Sequence, residues 1–158
     1  TVAHFPRFRF SEYFHVRNEK PRKSSDFIIT RKMQHHILGI GITFTVLLLG
    51  MMYYFTNEQG DISRYDLSVF FTTFVMLQFW NMFNAKAFLS GGSAFKNLKG
   101  SAGFLIVMLI IPIGQFLIVE FGGDVFRTVP LTLRDWGMII GATSLVLWIG
   151  ELMRLLKK

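Results

Sequence analysis

Three carboxamide side chains in one long apolar stretch are the residues of this sequence best suited to chemistry. Residues 70–86 read FFTTFVMLQFWNMFNAK, and on a helix they place Gln78, Asn81 and Asn84 within an arc of about 120°. An amide can hydrogen-bond to a neighbouring helix, or it can offer its carbonyl oxygen to a hard cation such as Ca²⁺. The residues alone leave both readings open, helix packing and an ion path, and favour packing.

A complete metal site is not expected in this chain. Calcium takes about six to eight oxygen ligands, normally including carboxylates, and no Asp or Glu lies in the middle of any apolar stretch. Gln78 is therefore only a weak candidate ligand, and we predict that Gln78, Asn81 and Asn84 hold helices together. His35 and His36 point about 100° apart on a helix, and there is no Cys. We predict no catalytic and no cofactor-binding residue.

Four apolar stretches indicate an all-α, polytopic membrane protein. The composition, 51% hydrophobic with 18 Phe, is unusual for a soluble domain of 158 residues, and four apolar stretches in succession leave too little polar surface to cover them. Each stretch is close to the roughly 20 residues that a helix needs to cross a bilayer. The sequence therefore predicts a bundle of four transmembrane helices surrounded by lipid, at residues 37–55, 67–88, 102–119 and 136–153.

The loops differ in charge and predict an orientation. Residues 56–66 and 120–135 each carry three acids, whereas residues 86–101 carry three Lys and no acid. Because cytoplasmic loops are rich in Lys and Arg, we expect the middle loop and both termini to be cytoplasmic. The protein would then be a multi-pass protein, and we expect it in the plasma membrane.

The remaining basic residues follow the same pattern. Residues 1–34 carry eight of the Lys and Arg residues and are predicted to form a basic cytosolic segment or linker, followed by the transmembrane domain at residues 35–158. The net charge of +7 is then mostly a matter of topology. No nucleic-acid partner is expected, because no motif with base-stacking aromatics accompanies the charge.

Two pairs in the last apolar stretch have local explanations. Glu151 and Arg154 are three residues apart and should form an ion pair on one helix face. Gly137 and Gly141 have the spacing that lets two helix backbones approach closely, and we expect them to pack within the molecule rather than between molecules.

Three segments, in order, resemble the C-terminal transmembrane domain of P-type cation-transporting ATPases. They are PRKSSDFIITRKMQHHILG at residues 21–39, FTTFVMLQFWNMFNAKAF at residues 71–88 and IVEFGGDVFRTVPLTLRDW at residues 118–136. The resemblance is to plasma-membrane-type calcium pumps and their bacterial relatives. It implies that these are helices seven to ten of a pump, and that residues 71–88 match the eighth.

The resemblance also implies what the chain lacks. Such pumps carry a DKTGT phosphorylation motif and a TGE motif in an actuator domain, and neither occurs here. ATP, Mg²⁺ and Ca²⁺ are implied for a full-length pump only, and this chain alone should be inactive. In the family the position of Gln78 is a Glu ligand in two-calcium pumps and a Gln in plasma-membrane-type pumps. A direct ligand role for Gln78 is thereby put in doubt.

Two hypotheses for the function follow. In the first, the chain is the C-terminal membrane domain, or a fragment, of an ATP-driven calcium or related cation pump, and it braces the transport helices. In the alternative, it is a small stand-alone four-helix membrane protein that acts as a partner or regulatory subunit.

Overall fold

The described part of the chain is built from helices. The structure, a computed structural model, describes residues 31–56, 58–90, 92–95, 98 and 102–156, and every regular element among them is helical. This confirms the predicted all-α class. Each predicted apolar stretch lies inside one long helix. The elements are α1 Arg31–Phe55, α2 Arg64–Ser90, α3 Ala102–Phe121, α4 Gly123–Phe126 and α5 Leu133–Leu155.

Three of these helices are long and apolar enough to cross a membrane. They comprise Met33–Phe55 in α1, Ala102–Phe121 in α3 and Leu133–Leu155 in α5. Helix α2 is as long, but its amides and Lys86 lower its mean hydropathy. The described residues therefore form an all-helical protein with three candidate spans.

The chain divides into two compact units, Thr1–Gly39 and Ile40–Lys158. In the first unit the described residues are the opening turns of α1, where His35 Nδ1 lies 2.7 Å from the carbonyl oxygen of Arg31. The predicted basic segment, residues 1–34, falls almost entirely outside the described residues. Its boundary stays a prediction.

In the second unit, α2 is the central helix and packs against both α5 and α3. Four of its five buried apolar residues recur every three or four positions, at Met76, Phe79, Phe83 and Ala87, which is the spacing of one helix face, and the fifth, Leu77, lies beside that face. Two apolar clusters result. One contains Phe79, Phe83, Ala87, Ala94 and Leu147, and the other contains Met76, Val119, Leu131 and Ile139.

A capping box fixes the start of α5. Thr132 Oγ1 accepts the backbone N–H of Asp135 at 3.2 Å, and Asp135 Oδ2 accepts the backbone N–H of Thr132 at 3.0 Å. The other carboxylate oxygen of Asp135 accepts the hydroxyl of Tyr65 at 2.9 Å, so the starts of α5 and α2 are joined. This hydrogen bond raises the pKa of the Tyr65 hydroxyl, because the donor is needed in its protonated form.

Gly137 and Gly141 of α5 do not pack as expected. The buried stripe of this helix is Asp135, Ile139, Thr143 and Leu147, spaced by four residues. Gly137 and Gly141 are exposed, and a Cβ added to either would meet no atom of the described residues within 4 Å. The expectation of intramolecular packing through this pair is wrong for this part of the chain. The reason is that the two glycines lie about 160° around the helix from the stripe that contacts α2.

Candidate functional site

The C-terminal half of α2 presents aromatic residues and one amide to α5. Phe79 and Phe83 are buried with ring centroids 5.5 Å apart at an interplanar angle of 73°. Such edge-to-face pairs stabilise a core beyond the area that they bury. Leu147 of α5 packs into the same cluster. The side chain of Asn84 is thus positioned by a rigid, close-packed helix pair.

Asn84 bridges α2 and α5. Its Nδ2 donates to the backbone carbonyl of Val146 at 2.9 Å, and its Oδ1 accepts Nη2 of Arg154 at 3.0 Å. Asn84 is buried. A Cβ at Gly150 would overlap Asn84 Oδ1, so the bridge requires a glycine at that position. Both ends of this amide are satisfied by α5, as buried polar groups require.

One turn further along α5, the carboxylate of Glu151 accepts hydrogen bonds from several neighbouring donors. Glu151 Oε1 accepts Nη2 of Arg154 at 3.0 Å and Ser93 Oγ at 3.2 Å, and it also accepts the backbone N–H of Ala94. The predicted ion pair between Glu151 and Arg154 is confirmed. We call Asn84, Ser93, Ala94, Glu151 and Arg154 the Glu151 cluster. It joins α2, the α2–α3 loop and the end of α5.

Gln78 and Asn81 lie on a different side of α2. Gln78 is exposed, and within the described residues it has no hydrogen-bond partner. Asn81 is half-buried, and its Oδ1 is buried without a hydrogen-bond partner in that same part of the chain. The structure therefore brings Asn84 against α5 and does not bring the other two amides there. Their packing role and the weak candidacy of Gln78 as a ligand stay predictions.

The two amides lie on one exposed side of α2. We call Phe74, Gln78, Asn81 and Ala85 the open face of α2, because they lie within about 60° of one another around the helix. Phe74, Gln78 and Ala85 are exposed. The face is roughly opposite to the buried stripe of Met76, Phe79, Phe83 and Ala87.

Sequence reasoning missed the hydroxyl groups that tie α2 to its neighbours. Thr72 Oγ1 accepts Gln115 Nε2 of α3 at 3.1 Å, and both residues are buried. Ser68 Oγ accepts the backbone N–H of Val129 at 2.8 Å. Thr143 Oγ1 accepts Nε1 of Trp80 at 3.1 Å. The available signal was the spacing by four of Ser68, Thr72 and Met76, which puts the hydroxyls on the buried face.

The described residues contain no group of three or more His, Asp or Glu side chains able to hold a metal ion. Apart from the ion pair of Glu151 with Arg154 inside α5, each polar contact named for Asn84, Thr72, Ser68 and Glu151 joins two structural elements. Chemically, this arrangement supports helix assembly. Two buried side-chain polar atoms of the described residues have no hydrogen-bond partner there, Asn81 Oδ1 on the open face of α2 and Nε of Arg154 in the Glu151 cluster.

Comparisons with known proteins agree with this membrane assembly. The family described as "Cation transporting ATPase, C-terminus" matches residues 14–156. The calcium-transporting ATPase PAT1 of Dictyostelium discoideum is 31% identical over 140 residues, which are 80% of this chain and 12% of that protein.

Two animal proteins give similar figures. The plasma membrane calcium-transporting ATPase mca-1 of Caenorhabditis elegans is 33% identical over 139 residues, 80% of this chain and 11% of that protein. The human plasma membrane calcium-transporting ATPase 3 is 27% identical over 139 residues, with the same coverage. The chain thus spans only 11–12% of the length of these curated relatives.

Proposed function

Because the chain belongs to the cation-transporting ATPase C-terminal family, we propose that it is the C-terminal membrane domain of an ATP-driven calcium pump and that it braces the transport helices. The protein is an integral membrane protein and a membrane part of a P-type cation pump. The calcium specificity, the bracing role and the plasma membrane location belong to the proposal. In it, ATP, Mg²⁺ and Ca²⁺ are bound by the other parts of the pump.

The observation that carries the bracing role is the open face of α2. Gln78 is exposed there, and Asn81 Oδ1 has no hydrogen-bond partner in the described part of the chain. Hydrocarbon cannot satisfy an amide, so a face with two of them needs protein on it. The remaining pump helices are the partner that family membership implies.

The proposal includes four spans with both termini cytoplasmic. Helix α2, the least apolar of the four, lies between α3 and α5, which cover its buried face. A helix in that position needs less hydrophobicity than one surrounded by lipid. The loop charges support the orientation, with acids at residues 56–66 and Lys at residues 86–101.

Leucine substitutions on the open face should act only in the assembled pump. In the full-length pump we expect Gln78→Leu to cost roughly 0.6–2 kcal/mol through lost interhelical hydrogen bonds. In the 158-residue chain alone the same substitution should leave stability unchanged or slightly raised, because Gln78 is exposed and has no hydrogen-bond partner among the described residues. Denaturant titration of both proteins measures the difference. An equal loss in the two settings would mean that the open face is not a contact with the other pump helices.

Assembly with the rest of a pump tests the function directly. The chain alone should show neither vanadate-sensitive ATPase activity nor micromolar Ca²⁺ binding, because it lacks DKTGT and TGE motifs and a mid-membrane carboxylate cluster. Co-expression with a calcium pump truncated before its seventh helix should yield a co-purifying complex with Ca²⁺-dependent ATPase activity. Association with an intact pump, and none with the truncated one, would instead favour a separate regulatory subunit.

A further inference from the structure

The connection between α3 and α5 exposes apolar side chains at a place where both helices end. Phe121 closes α3, Val125 and Phe126 form half of α4, and Leu133 opens α5. Val125 is 85% exposed and Leu133 is 90% exposed, while Phe121 and Phe126 are exposed as well. Water is a poor environment for four such side chains.

Hydrogen bonds hold this connection in its shape. The backbone N–H of Thr128 donates to the carbonyl of Gly123 at 3.0 Å, and its hydroxyl donates to the carbonyl of Ile118 at 3.0 Å. The next residue, Val129, donates its N–H to Ser68 Oγ of α2. Thr128 is buried.

The polypeptide also turns sharply between the exposed residues Val125 and Phe126 and the buried Leu131. Arg127 ends α4 with a positive φ of 54°, in the left-handed region that non-glycine residues rarely adopt. Leu131, four residues later, is buried in an apolar cluster. Leu131 therefore takes the buried position in this connection, and the fold holds Val125 and Phe126 on the outside.

The composition of this surface fits a lipid interface. The apolar residues continue the ends of two helices that are long and apolar enough to cross a membrane, Ala102–Phe121 and Leu133–Leu155. They alternate with the exposed charged residues Asp124, Arg127 and Arg134. Apolar side chains inserted at the acyl boundary, beside charges at the headgroups, are typical of interfacial segments. A packed protein interface would instead be depleted of charges at its centre.

We infer that residues 121–133 form an interfacial lipid anchor, in which Val125, Phe126 and Leu133 enter the boundary between headgroups and acyl chains. The anchor fixes the depth at which α3 and α5 leave the membrane. This inference needs only that α3 and α5 cross the bilayer, and it is independent of the transported ion and of the rest of the pump.

Spin labels on single cysteines test the anchor, because the chain contains no Cys of its own. Val125→Cys and Leu133→Cys would each be labelled in the 158-residue chain in nanodiscs of phosphatidylcholine. Asp124→Cys and Arg134→Cys are the matched controls, each one residue away and exposed. Asp124 forms an ion pair with Arg64 of α2, but both side chains are more than half exposed, so the loss of this pair should cost little stability. The accessibility of each label to oxygen, which concentrates in lipid, reports contact with lipid. Its accessibility to a water-soluble nickel chelate reports contact with water. Helical content by circular dichroism confirms that each variant is folded.

We expect the ratio of oxygen to nickel accessibility at residues 125 and 133 to be several-fold higher than at residues 124 and 134. Nickel accessibility as high at residue 125 as at residue 124 would place the connection in water and overturn the anchor. Low accessibility to both reagents at residues 125 and 133 would mean that protein covers them, and it would overturn the anchor equally.

Discussion

Replacing Asn84 with leucine is expected to destabilise the helix bundle by about 1–3 kcal/mol, since two interhelical hydrogen bonds are lost at a buried position. The variant leaves the carbonyl of Val146 and Nη2 of Arg154 without the amide that now joins them. Leucine also places a branched side chain against Gly150, where space is already short. Denaturant titration of the purified chain in mixed micelles, followed by tryptophan fluorescence, measures the loss.

The matched control is Asn81→Leu, three residues earlier on the same helix. Asn81 Oδ1 has no hydrogen-bond partner within the described residues, so we expect its replacement to leave the stability of the chain alone unchanged or slightly raised. Gly150→Ala provides a second route to the same loss, because the added Cβ would displace the Asn84 amide. Equal losses for Asn84→Leu and Asn81→Leu would contradict the bridge to α5.

The second large effect is expected for Glu151→Leu, which removes the acceptor at the centre of the Glu151 cluster. Ala94 is fully buried, so its N–H would lose its partner without access to water, at a cost of about 1–3 kcal/mol. Arg154, whose side chain is 25% exposed, would keep only Asn84 of the two cluster partners that its Nη2 now contacts. We expect lower stability and faster hydrogen–deuterium exchange at Ala94.

Exchange at Ala94 distinguishes this role from general destabilisation. Glu120→Leu is the control, since this carboxylate has a long contact of 3.5 Å to Trp136 and lies at the far end of α3. It should leave exchange at residues 93–95 unchanged. If Glu151→Leu accelerated exchange evenly along α3 and α5 with no excess at Ala94, the carboxylate would not be the anchor of the α2–α3 loop.

Helix positions could be predicted from the sequence because hydropathy reports directly on long apolar segments. The helices extend past the predicted spans, as in α1, which starts at Arg31 instead of residue 37, and α5, which starts at Leu133 instead of residue 136. Polar residues continue the backbone hydrogen-bonding pattern after hydrophobicity has ended, so hydropathy underestimates length. The short helix α4 begins at the second residue of the Gly122-Gly123 pair and, at four residues, has no periodicity from which it could be recognised.

The arrangement of the amides could be predicted only in part. Helical rotation places Gln78, Asn81 and Asn84 on one arc, but it does not say which edge of the arc meets a neighbour. In the structure α5 covers the edge with Asn84, and Gln78 stays exposed. That choice depends on contacts between residues more than 60 positions apart, such as Asn84 and Val146, and no local pattern encodes it.

Helix α2 packs against α5 as well as against α3, the next helix in the sequence, and this has a consequence for biogenesis. In the proposed four-span arrangement, α2 is made well before α5, so Asn84 would enter the bilayer without the Val146 carbonyl and Arg154 that later satisfy it. Until α5 has been inserted, this amide would stay at the lipid interface or hydrogen-bond to a transient partner. In that arrangement α5 completes the membrane integration of α2, and ribosome stalling before α5 should leave α2 accessible from water.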